Sequence, residues 1–324
     1  MFFLGIGVFL VWWSLHQIPN DKWDDFKQSL VTANFWLLIP VFIILSLSHV
    51  LRAIRWKTLM QPMGYTPTFT NTFFAVMIGY LANLAIPRLG EVLKCTLLTK
   101  YENVPTEKLV GTIVVERVID VICLATVFVL AFIVQNDVFL QAFEHMQSMM
   151  QTKTADTNNQ TFSYIKYVLL ILIVITVVYL WLSGAAKKAS AKITNIAKGM
   201  IEGLLSIKNL QQKRTFILCT IGIWGLYIIG TWVGLYATNG SSHLGISTAI
   251  SALAFASIGM IITPGGIGAY AILLAKVLEL NGVSYETGFA NGTLQWFAQF
   301  LIVVIVGFIC LGLLPWFNKK RRTA

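Results

Sequence analysis

Runs of about 20 apolar residues recur along this chain, and nothing constrains its fold more. A helix rises about 1.5 Å per residue, so each run matches a hydrocarbon layer of roughly 30 Å. No water satisfies backbone groups inside that layer, so the runs are expected to be helices bonded within themselves. The first covers about residues 2–19, and the second about 36–51, closing on Arg52 and Arg55. A third, 69–86, is stopped by Pro87-Arg88-Leu89-Gly90-Glu91, after which Val92–Leu98 is too short to cross. Further runs cover about 112–134, 164–183 and 215–238. The run from 246 breaks at Pro264-Gly265-Gly266-Ile267-Gly268 and resumes to about 281; the last is 294–314. Only 12% of the 324 residues are charged, about half the share of a soluble domain. That composition leaves no domain large enough for chemistry in water.

Charge sets the expected orientation. The formal net charge is +10, and the Lys and Arg crowd around Arg52, Arg55 and Lys57, the 184–214 loop and the C-terminal tail. Basic loops stay in the cytoplasm, so these three are expected there, with 20–35, 135–163 and 239–245 outside. This reading is preferred to nucleic-acid binding. Residues near 60 and 108 then share one side, and residues near 242 and 290 share the other. Segments 69–100 and 246–281 must each enter and leave through one face, and each contains a Pro/Gly break. Span, span, broken hairpin, span occurs twice in opposite orientation, which is the order of an inverted-topology repeat. Eight ordinary spans with two Pro kinks also fit the lengths but put basic loops on the wrong sides.

Charges inside apolar runs cost about 2.5–3.5 kcal/mol each on insertion scales and call for a reason. Arg88, Glu91 and Lys94 follow one another at spacings of three, so they can share a helix face. Pro87 removes a donor and Gly90 relaxes steric limits, so the chain can turn at depth. A half-helix starting here would aim its positive end at an anion. Glu116, Arg117 and Asp120 open the 112–134 run, and Arg52, Arg55, Arg88 or Lys94 can balance them. Pro264, Gly265, Gly266 and Gly268 offer bare backbone to a cavity. Two structural alternatives stand beside these readings. Arg52 and Arg55 can snorkel at an interface, and the Glu116 group can be a clamp between helices. Trp12, Trp13, Trp36, Trp56 and Trp316 are expected to be interfacial anchors.

Cys95, Cys123, Cys219 and Cys310 are scattered and lack CxxC spacing, and the four His form no ligand pattern, so no metal or cofactor is expected. Met1-Phe2-Phe3 lacks a basic n-region, so the first run is read as a retained anchor. GxSxG, HExxH and Walker A motifs are absent, and no motif specifies a base among Glu91, Glu116 and Asp120.

Four elements in this order resemble the transmembrane region of lysylphosphatidylglycerol synthases, the flippase-like membrane domain family. They are Arg52-x-x-Arg55-Trp56, Asn83-x-x-x-Pro87-Arg88-x-Gly90-Glu91-x-x-Lys94, Glu116-Arg117-x-x-Asp120 and Pro264-Gly265-Gly266-x-Gly268. Lys94 stands where the family usually has Arg, and Ala271 where many members have a carboxylate. Full-length members carry a soluble aminoacyl-transferase domain, whereas this sequence ends at Ala324, so synthase activity is not implied. The resemblance implies handling of an anionic or modified lipid.

The expected fold is therefore an all-α polytopic membrane protein: about six full spans and two Pro/Gly-broken re-entrant hairpins in an inverted repeat. It forms a single integral membrane domain over 1–324, with halves at about 1–135 and 164–317 joined by the outside loop 135–163. The expected function is flippase-like translocation or handling of an anionic or modified lipid between leaflets of the cell membrane, with an anionic phospholipid or lipid-linked headgroup as the expected partner. Arg52, Arg55, Asn83, Arg88, Glu91, Lys94, Glu116, Arg117 and Asp120 are the candidate substrate-binding set. A membrane-embedded lipid- or glycan-modifying enzyme, or a non-catalytic subunit of one, is the alternative. A homo-oligomer or a membrane enzyme partner is left open.

Overall fold

The computed structural model describes residues 23–86, 88–141 and 210–323. The expected first run, the 164–183 run, most of the 135–163 and 184–214 loops, and Pro87 lie outside them. The described residues are helical throughout: α1 (Trp23–Val31), α2 (Leu38–Met60), α3 (Phe69–Ala85), α4 (Leu89–Glu102), α5 (Thr106–Val134), α6 (Lys213–Leu235), α7 (Ile246–Ile262), α8 (Ala269–Leu280) and α9 (Tyr285–Thr323). Four segments among them are long and apolar enough to cross a membrane: Phe35–Met63, Thr106–Val134, Lys213–Leu235 and Tyr285–Lys319. Each coincides with an expected run. Isoleucine, valine and phenylalanine stay exposed along them, for example Val121, Ile133, Leu218, Ile221 and Phe308. This surface suits lipid rather than water.

Two boundaries differ from expectation. The second helix does not stop before Arg52; α2 runs on to Met60, carrying Arg52 and Arg55 inside it with its acidic partners on a neighbouring helix. Likewise α5 begins at Thr106, so Glu116 and Asp120 are helix-interior residues rather than its opening turn. Beyond Gln135 the chain resumes as helix over 136–141, where an unpatterned loop was expected.

The short helices pair into two antiparallel hairpins. In α3–α4, Asn71 Nδ2 donates to Glu102 Oε1 at the base and Gly79 lies against Lys94 and Gly90. At the tip Asn83 Oδ1 accepts the Gly90 N–H at 2.7 Å. A Cβ on Gly90 would stand 2.0 Å from the Gly79 carbonyl oxygen, so only glycine permits this approach. In α7–α8, Thr248 donates to Asn281 at the base, and Gly259 abuts the Ala269–Tyr270 backbone near the tip. Gly265, Gly266 and Gly268 turn that tip with positive φ of 63°, 75° and 75°. The two tips meet: a Cβ on Gly265 would lie 3.0 Å from Leu84 Cδ2.

Around the hairpins, α2 packs antiparallel on α6, for the Asn34 N–H preceding α2 bonds the Ala237 carbonyl following α6. Each hairpin base is clasped from the other half of the chain. Asn318 of α9 exchanges side-chain hydrogen bonds with Asn71 of the first hairpin at 2.8–2.9 Å. Gln135, just past α5, donates to Thr248 and Asn281 of the second.

Candidate functional site

The ionisable side chains converge where α2, α4, α5 and α6 meet. Arg52 and Arg55 stand one turn apart on α2, so their guanidinium groups point the same way. Facing them on α5, Glu116 and Asp120 are also one turn apart. Arg52 Nη1 donates to Glu116 Oε1 at 3.0 Å and to Asp120 Oδ2 at 2.7 Å, and Arg55 Nη2 to Asp120 Oδ1 at 2.7 Å. Lys94 reaches in from α4, 3.1 Å from Glu116 Oε2, with its ammonium 4.4 Å above the Trp56 ring. Tyr227 of α6 takes a hydrogen bond from Arg52 Nη2 at 3.0 Å. Trp56 Nε1 donates to Thr112, holding the aromatic floor in place.

Burial makes this cluster costly. Side-chain exposure is 0% for Arg55 and Glu116, 3% for Lys94, 7% for Arg52 and 15% for Asp120. Such ions persist only where each finds a partner. Three cations share two carboxylates, so the buried set carries one positive charge in excess. Arg52 Nε and Arg55 Nε and Nη1 are buried without a hydrogen-bond partner among the described residues. Those three nitrogens keep unused capacity to donate.

A rim borders the cluster. Arg117 Nε lies 3.7 Å from Glu91 Oε1, with the two side chains 45% and 33% exposed. Arg88 ends the break between α3 and α4 at φ 67°, a left-handed conformation uncommon for a residue with a Cβ, and its side chain is exposed. Strain of this kind gathers at functional sites. Val92, Val118, Val121 and Ile122 lie exposed beside this rim, so charge and apolar surface adjoin on the α4–α5 side.

Several sequence expectations change here. Arg52 and Arg55 do not snorkel; they turn inward to carboxylates that compensate them better than an interface. Arg88 precedes α4 rather than sharing its face, and Glu91 and Lys94 diverge to Arg117 and Glu116. Arg52, Arg55 and Lys94 supply the balance for Glu116 and Asp120, and Arg88 does not. Asn83 is engaged by the Gly90 N–H, and Gly90 and the 265–268 glycines serve the tips. Trp56 is fully buried against Thr112 and is no interfacial anchor, whereas Trp36 and Trp316 are exposed. Tyr227 went unread, because a lone hydroxyl in an apolar run carries no charge signal. Among the described residues no group of three or more His, Cys, Asp or Glu is arranged to hold a metal.

A bundle of long apolar helices around two broken hairpins and a buried ionic cluster is that of a multi-pass membrane protein. The description "Lysylphosphatidylglycerol synthase TM region" matches residues 2–319, so the chain belongs to that family. It is similar to two UPF0104 membrane proteins of Methanocaldococcus jannaschii. With MJ1595 it shares 32% identity over 116 residues, 34% of either chain. With MJ1078 it shares 24% over 232 residues, 71% of this chain and 92% of that one. The matched stretch thus spans about a third of the first relative and most of the second. No solved structure matches the chain.

Proposed function

We propose that this protein translocates an anionic lipid headgroup between the leaflets of the cell membrane. The observation that carries the reading is the cationic excess of the buried cluster between α2, α4 and α5. Counting the rim, Arg52, Arg55, Lys94 and Arg117 face Glu91, Glu116 and Asp120, four positive charges against three negative, with Arg88 exposed at the start of α4. In a low-dielectric setting that imbalance favours a bound anion, and guanidinium groups match phosphate oxygens in paired hydrogen bonds. Arg88 and Arg117, exposed at the rim, receive the phosphate first. Glu91, Glu116 and Asp120 hold the cations in register, and the acyl chains stay outside along the apolar faces of α4 and α5.

In this reading the two hairpins are re-entrant, the first from the cytoplasm and the second from outside, and the halves form an inverted repeat. Their tips then meet at mid-membrane, as transporter sites built from broken helices do. The single membrane domain sits with its C-terminal tail and the 184–214 segment in the cytoplasm. The driving force is a gradient, a partner or passive exchange.

The test is leaflet exchange in proteoliposomes doped with an acyl-labelled anionic lipid, read by quenching of the outer leaflet. Wild type is expected to exchange the label faster than empty vesicles, and Arg88→Ala and Arg117→Ala to slow it. Neither residue is fully buried, so both variants are expected to fold. Wild-type rates in both variants would sink the site assignment, and no exchange by wild type would sink the function.

A further inference from the structure

Unpartnered polar atoms recur at every third residue along part of α2. Ser46 Oγ, His49 Nδ1, Arg52 Nε, and Arg55 Nε and Nη1 are each buried without a hydrogen-bond partner among the described residues. Successive members rise about 4.5 Å along the helix and adjoin on its surface. That interval is too long for a direct bond and short enough for one water to bridge. The band leads from the ionic cluster toward the N-terminal end of α2. Orphan polar groups in apolar surroundings are costly, so four neighbours of this kind call for a polar occupant.

Within the band, His49 is the member whose charge changes near neutral pH. Its ring lies 5.1 Å from the Tyr80 ring of α3, and the Arg52 guanidinium stands 5.9 Å from that same ring. Beyond Arg52 and Tyr80, the ionisable groups around it are Tyr227 on α6, Glu116, Arg117 and Asp120 on α5, and Lys94 on α4. Helix α9 brings no carboxyl, amine, guanidine or imidazole between Glu286 and Lys319. Both buried carboxylates are taken, Glu116 by Arg52, Arg55 and Lys94, and Asp120 by Arg52 and Arg55. A proton on His49 would therefore add a second positive charge to a cluster that already holds one in excess. A phosphate entering the cluster removes that obstacle. Proton and phosphate then favour each other's binding, and linkage makes the effect reciprocal.

We infer that His49 is a proton-binding site that couples headgroup translocation to a proton gradient, one proton travelling with each lipid phosphate. The inference rests on the lipid-translocation reading and names its driving force. As the phosphate enters, the free nitrogen lone pair of the imidazole takes a proton from water. As the phosphate leaves on the far side, the imidazolium returns that proton to water, and no electrons are exchanged. The two charges cancel, so loading leaves the net charge of the cluster unchanged and the crossing is electrically silent.

The experiment uses phosphatidylcholine proteoliposomes with a trace of acyl-labelled phosphatidylglycerol, a monoanion, and measures how the label divides between leaflets. Protein-free vesicles set the baseline. Under a gradient of one pH unit, wild type is expected to concentrate label in the leaflet facing the alkaline side, up to about tenfold. A potassium diffusion potential at equal pH is expected to leave it evenly divided. His49→Gln and His49→Phe, the second keeping a ring against Tyr80, are expected to exchange more slowly, to ignore the pH gradient and to follow the potential. Even division by wild type under the pH gradient overturns the coupling. Asymmetry retained in either variant overturns His49 as the proton site. Wild type that exchanges no label without a gradient overturns the parent function instead, so the failures are distinguishable.

Discussion

The two hairpins share an architecture and differ in what they pack against. The first sits loosely on α5 through ions: Lys94 to Glu116 and, at the rim, Glu91 to Arg117. The second sits on α9 through small residues, with Gly288 against Ala275 and Gly292 against Ala271 at backbone distance. A Cβ on Gly292 would stand 2.8 Å from the Ala271 Cα. One interface is held by ion pairs, buried at Lys94–Glu116 and partly exposed at Glu91–Arg117, and the other by close contact, which falls off within about an ångström. The difference teaches where each half is free to yield: the ionic interface tolerates a small separation, and the glycine interface is shut or open.

The sharpest way to break this comparison is to neutralise an ion at the first hairpin. Glu116→Ala leaves Lys94 without its carboxylate and Arg52 and Arg55 with Asp120 alone, and an uncompensated buried charge costs about 3–5 kcal/mol. Gln295→Ala on α9 removes neutral bonds worth about 1–2 kcal/mol. Thermal unfolding in detergent is expected to show a much lower midpoint for Glu116→Ala; equal shifts would erase the distinction between the hairpins. Next in size are the close approaches. Gly90→Ala and Gly292→Ala each force backbone apart, at about 1–3 kcal/mol. Gly292→Ala is expected also to expose the α8–α9 seam to cysteine labelling, and an unchanged pattern would count against a tightly closed second interface. Trp56→Phe keeps the ring under Lys94 and loses the bond to Thr112, an expected drop of about 1 kcal/mol in unfolding free energy. The smallest effects belong to the clasps. Asn318→Ala and Gln135→Ala are each expected to destabilise by about 0.5–1.5 kcal/mol, in similar measure if the two bases are equivalent.

Much of the fold was legible because hydrophobic run length reports on helices directly. The breaks at 86–88 and 263–268 were readable from Pro and Gly, and the ionic residues from their rarity. What escaped was anything depending on partners across the bundle. Arg52 and Arg55 ended an apolar run on paper, yet α2 continues because Glu116 and Asp120, over sixty residues away, compensate them. Asn71, Gln135 and Asn318 stand among other polar residues at the ends of apolar runs and Tyr227 inside one, with no local pattern to mark their partners across the bundle. Gln295 and Gln299 carried a faint signal. Their four-residue spacing repeats that of Glu116 and Asp120 at the same distance from a helix start. Substituting amide for carboxylate hid it from a search for charge.

The crossed clasps have a mechanical consequence. Because Gln135 fastens the second hairpin and Asn318 the first, displacing either hairpin breaks hydrogen bonds to the opposite half of the chain. If the proposed lipid passage runs between the two hairpins, a chain linked this way resists standing open on both sides at once.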